Sequence, residues 1–336
     1  MAVRRVSAAL AVALLIIASI AGCGKDSEGG TTTSNGAPTR LRMQLSWVAN
    51  AQFAGYMMAK EQGFYEDANL DVDLLYGGPN VNNVQQLTSG QADLTVDRVS
   101  TLFLSRDKGI PIKGIAEFDQ KSGFWLVAKK SSGINSPDDL VGQKVGIFAD
   151  DEFQADALLT AMGVDPSDVK TFYQGFTMDP WLNDEYPVAE MTSFGQLQEV
   201  YHAGYTDKDL VFFKPSDYDV GILHGCLIAN ESAIQSSPDA LTAFVEATMK
   251  GWTYAFAHPD EAVDAILAEE PSASRPVETS ALDAMKDVLW DGDTPPDNWG
   301  QIPMDNYEET AKILEDGDYV DHPIDVEKSV DLTIAP

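Results

Sequence analysis

The sequence predicts an α/β fold in two lobes, each an open, mostly parallel sheet flanked by helices, with a ligand cleft between them. Three observations predict it. From Leu41 to Asp97 the chain repeats strand, loop and helix, the alternation that builds a parallel sheet. Near residues 117–122 that pattern changes, and near 215–220 it changes back, as it would where the chain leaves one sheet and returns to it. Ligands of open parallel sheets sit outside the carboxyl ends of the strands. The loops at Trp47, Gly77 and Asp97 are therefore expected to face one crevice.

Taken in order, Leu41, Met43 and Leu45 alternate with polar residues and form a strand that stops at Ser46-Trp47. An apolar helix over 53–62 follows and ends at Gly63. A strand over 70–76 runs into Gly77-Gly78-Pro79, a helix over 81–89 stops at Gly90, and a strand over 92–96 ends at Asp97. A helix over 99–106 and a strand over 112–116 complete the first run. Beyond the break, strands are expected at 124–128, 144–148, 169–173, 188–191 and 210–214, with helices at 153–162 and 194–203. Ser136-Pro137 reads as a helix start, with serine as the cap and proline at the first position. After the return come a strand over 225–229 and helices over 238–257, 258–268, 280–289 and 304–314. One lobe would then hold 39–118 and 222–336, and the other 119–221.

At 336 residues and 44% hydrophobic content, the chain fills one large or two medium cores. Lys+Arg is 22 against Asp+Glu 53, a formal net charge of -31. Such a surface repels nucleic acid, whose phosphates need a positive footprint, and equally an anionic membrane face. The cysteines, Cys23 and Cys226, offer no disulfide framework, and the Cys and His content has no spacing for a structural metal. Motifs of the Gly-x-Ser-x-Gly, His-Glu-x-x-His or Cys-x-x-Cys kind do not occur, so neither a cofactor nor catalysis is expected.

Residues 1–22 combine Arg4-Arg5 with a 13-residue apolar core from Ala8 to Ile20, short for a membrane span but suited to a secretory leader. The core ends in Ile20-Ala21-Gly22-Cys23, which resembles the lipobox of prokaryotic lipoproteins. That resemblance implies cleavage before Cys23 and a lipid on its thiol. Removing two arginines and no acid would move the charge from -31 to -33. Residues 23–38 are rich in Gly, Ser and Thr and read as a flexible tether. The chain is then expected at the extracytoplasmic face of the cell membrane, held there by its lipid.

Several collinear stretches resemble one family. They are Leu45-Ser46-Trp47 with Asn50, Gly55, and Ala59-Lys60-Glu61-Gln62-Gly63-Phe64-Tyr65. Leu70-Asp71-Val72, Gly77-Gly78-Pro79 and Ser89-Gly90-Gln91-Ala92-Asp93 continue the series, as do Ile134 through Leu140, Lys250-Gly251-Trp252 and His258-Pro259-Asp260-Glu261-Ala262-Val263. Together they resemble the substrate-binding proteins for thiamine pyrimidine precursors, within a broader family that takes in binding proteins for riboflavin, sulfonates, taurine and nitrate, and fungal pyrimidine synthases. The resemblance implies a type II periplasmic-binding-protein-like fold whose lobes close on a solute, and ABC permease and ATPase subunits as partners of a monomer. The chain departs from the pattern at Asn50-Ala51-Gln52-Phe53, where those proteins often have Asn-x-x-His, and lacks the synthases' cysteine motif. The synthase reading is set aside on that ground.

The candidate ligand residues follow from strand ends and from chemistry. Trp47 offers a flat face and an indole N–H, or else serves the core. Asn50 and Gln52 offer amides that read ring nitrogens and carbonyls, though loop capping explains them as well. Phe53 is a second stacking candidate unless it opens the core face of its helix. Gly78 permits close backbone approach, and Asp97 either meets ring N–H groups or caps the next helix. Gln120 lies on the first crossing. Asp150, Trp181, Glu190 and Tyr218 are expected on the opposing wall, and Arg98 is the nearest cation. Three acids at 150–152 disfavour an anion at that helix start. A small heteroaromatic solute is expected, with a thiamine pyrimidine precursor first, riboflavin second and a sulfonate third.

Overall fold

The structure is a computed structural model that describes residues 36–149 and 151–335. The leader, Cys23, most of the tether and Asp150 lie outside the described residues. Among the described residues, ten strands form two five-stranded sheets. They are β1 (Thr39–Gln44), β2 (Leu70–Leu75), β3 (Leu94–Asp97), β4 (Ile112–Glu117), β5 (Phe124–Lys129), β6 (Lys144–Ile147), β7 (Lys170–Tyr173), β8 (Val188–Thr192), β9 (Leu210–Phe213) and β10 (Cys226–Asn230). The first sheet runs β2-β1-β3-β10-β4 and the second β7-β6-β8-β5-β9. This is the two-lobe α/β fold.

Each sheet carries one strand that runs against its neighbours. β10 is antiparallel to β3 and β4, and β5 is antiparallel to β8 and β9. The parallel pairs are β1 with β2 and β3, and β6 with β7 and β8. β5 directly follows β4 in sequence yet joins the second sheet, and β10 follows β9 yet joins the first. The antiparallel strands are thus the ones delivered by the crossings, which no local pattern in the sequence could show.

Strand register follows burial. Leu41, Met43 and Leu45 face the core of the first lobe with exposures of 3%, 0% and 0%. On that side two helices, Ala54–Glu61 and Pro238–Ala257, cross where glycine meets glycine. A Cβ on Gly251 would lie 2.1 Å from the Gly55 carbonyl oxygen, and one on Gly55 would lie 2.2 Å from the Trp252 ring. Only glycine allows that approach. The other side of the sheet is covered by the helices Val99–Asp107 and Met304–Asp316, around Leu102, Phe103, Tyr307 and Leu314.

Element limits depart from expectation mainly where turns are short. Ser136 forms a capping box with Asp139, but only a single 3-10 turn, Pro137–Leu140, follows it. The helix expected from 280 begins earlier, at Arg275, behind a proline at its first turn. Short helices at Phe64–Asp67, Glu231–Ser236 and Val326–Ser329 were not foreseen. No helix among the described residues is long and apolar enough to cross a membrane.

Candidate functional site

The carboxyl ends of β1, β3, β6, β7 and β8 meet between the lobes. Trp47, in the bend just past β1, is half-buried, and its ring centroid lies 4.6 Å from that of Phe176, which follows β7. Phe176 in turn stacks on Phe148, at the end of β6, with centroids 5.9 Å apart and planes 12° apart. An aromatic wall is thus shared by the two lobes. Gly77 holds the Trp47 loop in place: its N–H donates to the Trp47 carbonyl at 2.9 Å, and a Cβ there would lie 2.6 Å from the Leu45 carbonyl oxygen. Gly78 is buried with φ at +145°, so its glycine answers a backbone conformation.

Behind the aromatic wall lies a group of charges. Glu190 is 1% exposed, and its Oε2 accepts from the Phe148 N–H at 2.6 Å. Burial, then the charge of neighbouring Asp151 and a hydrogen bond to its side chain, push its carboxyl well above the usual range. Arg98, just past β3, donates from Nη2 to Asp151 Oδ2 at 2.9 Å, and its Nε lies 2.8 Å from Oδ1. Burial pulls the guanidinium down, but Asp151, Asp97 and Glu190 together hold it above its ordinary value. Gln174 donates to the Glu190 carbonyl at 2.7 Å and receives the Tyr186 hydroxyl at 3.3 Å. The arrangement offers flat apolar faces, a buried carboxyl and a cation already paired with a carboxylate.

The expected site residues divide on this geometry. Trp47 and Glu190 lie at the interface of the lobes. Asp97 is engaged at a helix start, where it accepts from Arg98 N at 2.8 Å and Thr101 Oγ1 at 3.0 Å, and from Asn83 at 2.9 Å. Asn50 caps the turn Ala51–Phe53 by accepting from Gln52 N at 3.0 Å. Gln52 is half-buried beside it. Phe53 and Trp181 do not reach the cleft, and the stacking roles expected of them are corrected. Phe53 is fully buried in the first lobe's core because the apolar face of its helix starts there. Trp181 is fully buried in the second lobe, donating to the Pro187 carbonyl at 3.3 Å with Lys129 Nζ 4.7 Å above its ring. Gln120 ties its backbone N–H to the Val288 carbonyl at 2.9 Å, and Tyr218 packs on the second lobe's core.

Phe148, Asp151, Gln154, Phe176 and His224 were not singled out from the sequence as ligand residues. Phe148 and Phe176 lie just past β6 and β7, the same strand-end position that marks Trp47 in the first sheet. A hollow of about 410 Å³ on the outer edge of that sheet, lined by Lys144, Lys170, Phe172 and Tyr186 among others, does not include Trp47 or Phe148.

Comparison with known proteins agrees with this architecture. The family model described as NMT1/THI5 like matches residues 50–262. The chain is 25% identical over 331 residues to a formylaminopyrimidine-binding protein of Halalkalibacterium halodurans, covering 93% of this chain and 94% of that one. It is 28% identical over 293 residues to a riboflavin-binding protein of Chloroflexus aurantiacus, covering 79% and 78%. Among solved structures, the periplasmic aliphatic sulphonate binding protein of Escherichia coli superposes with a TM-score of 0.69 at 13% identity, covering 87% of this chain and 97% of that one. That last likeness is one of fold.

Proposed function

The chain belongs to the NMT1/THI5-like family, and from that premise we propose that it is the solute-binding component of an ABC importer, taking a small flat heterocycle between its lobes. The observation that carries the reading is the pairing of Trp47 from one lobe with Phe176 and Phe148 from the other. Aromatic faces presented by opposite lobes suit a ring, which stacks on both when the lobes close. Trp47 and Phe176 lie 4.6 Å apart. A ring between them needs about 7 Å, two van der Waals contacts, so entry requires the lobes or the Phe176 loop to part. Glu190 would offer its carboxyl to a ring nitrogen or amino group, and Gln174 holds the backbone carbonyl of Glu190 within β8.

A thiamine pyrimidine precursor is the first candidate, supported by the formylaminopyrimidine-binding relative that aligns over nearly the whole chain. Riboflavin is the second, supported by the relative named for it. A sulfonate is third, because Arg98, the cation at the cleft, is paired with Asp151. The division of the lobes at 118/119 and 221/222 is supported by the assignment of β5 to β9 to one sheet and the rest to the other. In this reading the chain has no enzymatic turnover, and Cys23 carries the lipid that holds a monomeric receptor beside its permease.

The test is a thermal-shift screen of the mature protein against pyrimidine precursors, thiamine, riboflavin and sulfonates. A ligand at a hundred times its Kd adds about 2.7 kcal/mol of stability, so a true solute stands clear of the rest. Chromatography of the recovered ligand should return it unchanged. A shift confined to sulfonates overturns the aromatic site, and a converted ligand overturns the non-enzymatic reading.

A further inference from the structure

We propose that Arg98 and Asp151 form a closure latch across the cleft, and that a buried relay through Gln154 and His224 couples the latch to both chain crossings. The inference rests on the reading of the protein as one whose lobes close on a solute. It adds a pair that sets how much of the protein is closed before any solute arrives.

The pair joins the two walls directly. Arg98 follows β3 of the first sheet and Asp151 opens the helix Glu152–Ala161 behind β6 of the second, with the 2.9 and 2.8 Å approaches already described. The Asp151 side chain is 1% exposed, whereas that of Arg98 is 30% exposed. Asp151 is therefore enclosed while solvent still reaches Arg98. A pair within one core can be separated only by unfolding, and a stranded buried charge is costly. This pair separates by parting the lobes, which hydrates both groups. The other ion pairs near the cleft do not do this work: Lys121, bridged to Asp287 at 2.9 Å and Asp291 at 2.7 Å, sits on the crossing itself.

Asp151 is also held from the hinge side. Gln154 Nε2 donates to Asp151 Oδ1 at 2.7 Å, and Gln154 Oε1 lies 3.1 Å from His224 Nε2. An amide oxygen only accepts, so His224 carries its proton on Nε2. Burial first, and then the Arg98 charge, pull the ring down to about 3, so it is neutral and donates once. The backbone N–H of His224, on the second crossing, reaches Asp119 Oδ2 on the first at 3.3 Å. The Asp119 N–H donates in turn to Glu117 Oε1 at 2.9 Å, at the end of β4. The crossings also meet through Phe118 N to the Gly225 carbonyl at 3.3 Å. Gly225 is pinned between the two acids: a Cβ there would lie 2.5 Å from Asp119 Oδ1 and 2.6 Å from Glu117 Oε1. A rotation about the crossings therefore moves His224, and through Gln154 it moves the acceptor that Arg98 needs.

The experiment uses the mature protein without solute. Spin labels on Asn80→Cys and Thr177→Cys, exposed residues of opposite lobes, report interlobe distances. The wild-type background should show a closed population that shrinks between low and molar salt. Arg98→Gln and Asp151→Asn should each lower the closed-to-open ratio about fivefold, the worth of a partly exposed ion pair, and remove the salt response. The double variant should lose no more than either single one. His224→Gln should lower the ratio while Arg98 and Asp151 are both present. An open-only wild type, or an Arg98→Gln protein as closed as wild type, overturns the latch, and an unaffected His224→Gln protein overturns the relay. No solute enters these measurements. A failed solute screen beside a salt-sensitive closed population would therefore count against the function proposed above and leave the latch standing.

Discussion

The two lobes share one strand topology but build their cleft walls differently. The first wall comes from three consecutive strand ends between residues 47 and 98: Trp47, Gly77 and Arg98. The second is gathered from short strands separated by the helices Glu152–Ala161 and Asp179–Leu182, with Phe148 and Asp151 beyond β6, Phe176 beyond β7 and Glu190 within β8. Both walls nonetheless place an aromatic side chain just past a strand. The difference teaches that position at a strand end, more than residue type, decides what reaches the cleft. Trp47 and Trp181 make the point most sharply, since one is half-buried against Phe176 and the other is fully enclosed in a core.

The largest expected effect breaks one lobe and not the other. Gly251→Val would drive a side chain into the Gly55 carbonyl, 2.1 Å from the nearest position a Cβ can occupy. Backbone cannot yield as a side-chain tip can, so the cost should exceed the roughly 1–3 kcal/mol of ordinary overpacking. Urea unfolding followed by circular dichroism should show early loss of the first lobe, and a wild-type midpoint would contradict the packing described.

Trp181→Ala should cost about 3–5 kcal/mol, as a large aromatic removed from a filled core does, while Trp47→Ala should cost far less. Denaturant midpoints measured side by side test that contrast. Equal losses would mean that Trp47 is a core residue after all.

A smaller effect separates the hinge from both lobes. Burial holds the Asp119 carboxyl up at about 7, partly offset by the His224 N–H, whereas in the unfolded chain it titrates near 4. Between those values the folded protein keeps a proton that the unfolded chain has lost. Asp119 should therefore make stability fall as pH rises from about 4 to about 7, on top of the same-signed contributions of Glu117 and Glu190, whose carboxyls burial also pushes up. Asp119→Asn should flatten that slope in pH-dependent melting curves. Asp73, Asp107 and Asp139, held low by their partners, act with the opposite sign and below that window. An unchanged slope in the variant would remove Asp119 from the account.

Much of the fold was legible because the repeating strand, loop and helix leaves its period in the sequence, and the glycines that end helices sit where φ turns positive, as at Gly63 and Gly90. The antiparallel placement of β5 and β10 was not legible, because pairing between strands far apart in sequence leaves no local trace. Of the candidate residues, Trp47 lies just past the end of β1 and Glu190 within β8, whereas the expectation for Phe53 rests on a histidine position and that for Trp181 on residue type, and burial in the cores overrides both. The Arg98–Asp151 pair and its relay depend on how two separate chain segments face each other, and sequence spacing carries no record of that.

The most direct test of the cross-lobe site is calorimetric. The solute found by the thermal screen would be titrated into wild type, Trp47→Ala, Phe176→Ala and, as a folded-core control at low temperature, Trp181→Ala. Dissociation constants at least tenfold weaker for the first two variants, with the folded fraction of the third binding as wild type, are the result predicted here. Wild-type affinity in both Trp47→Ala and Phe176→Ala would contradict it.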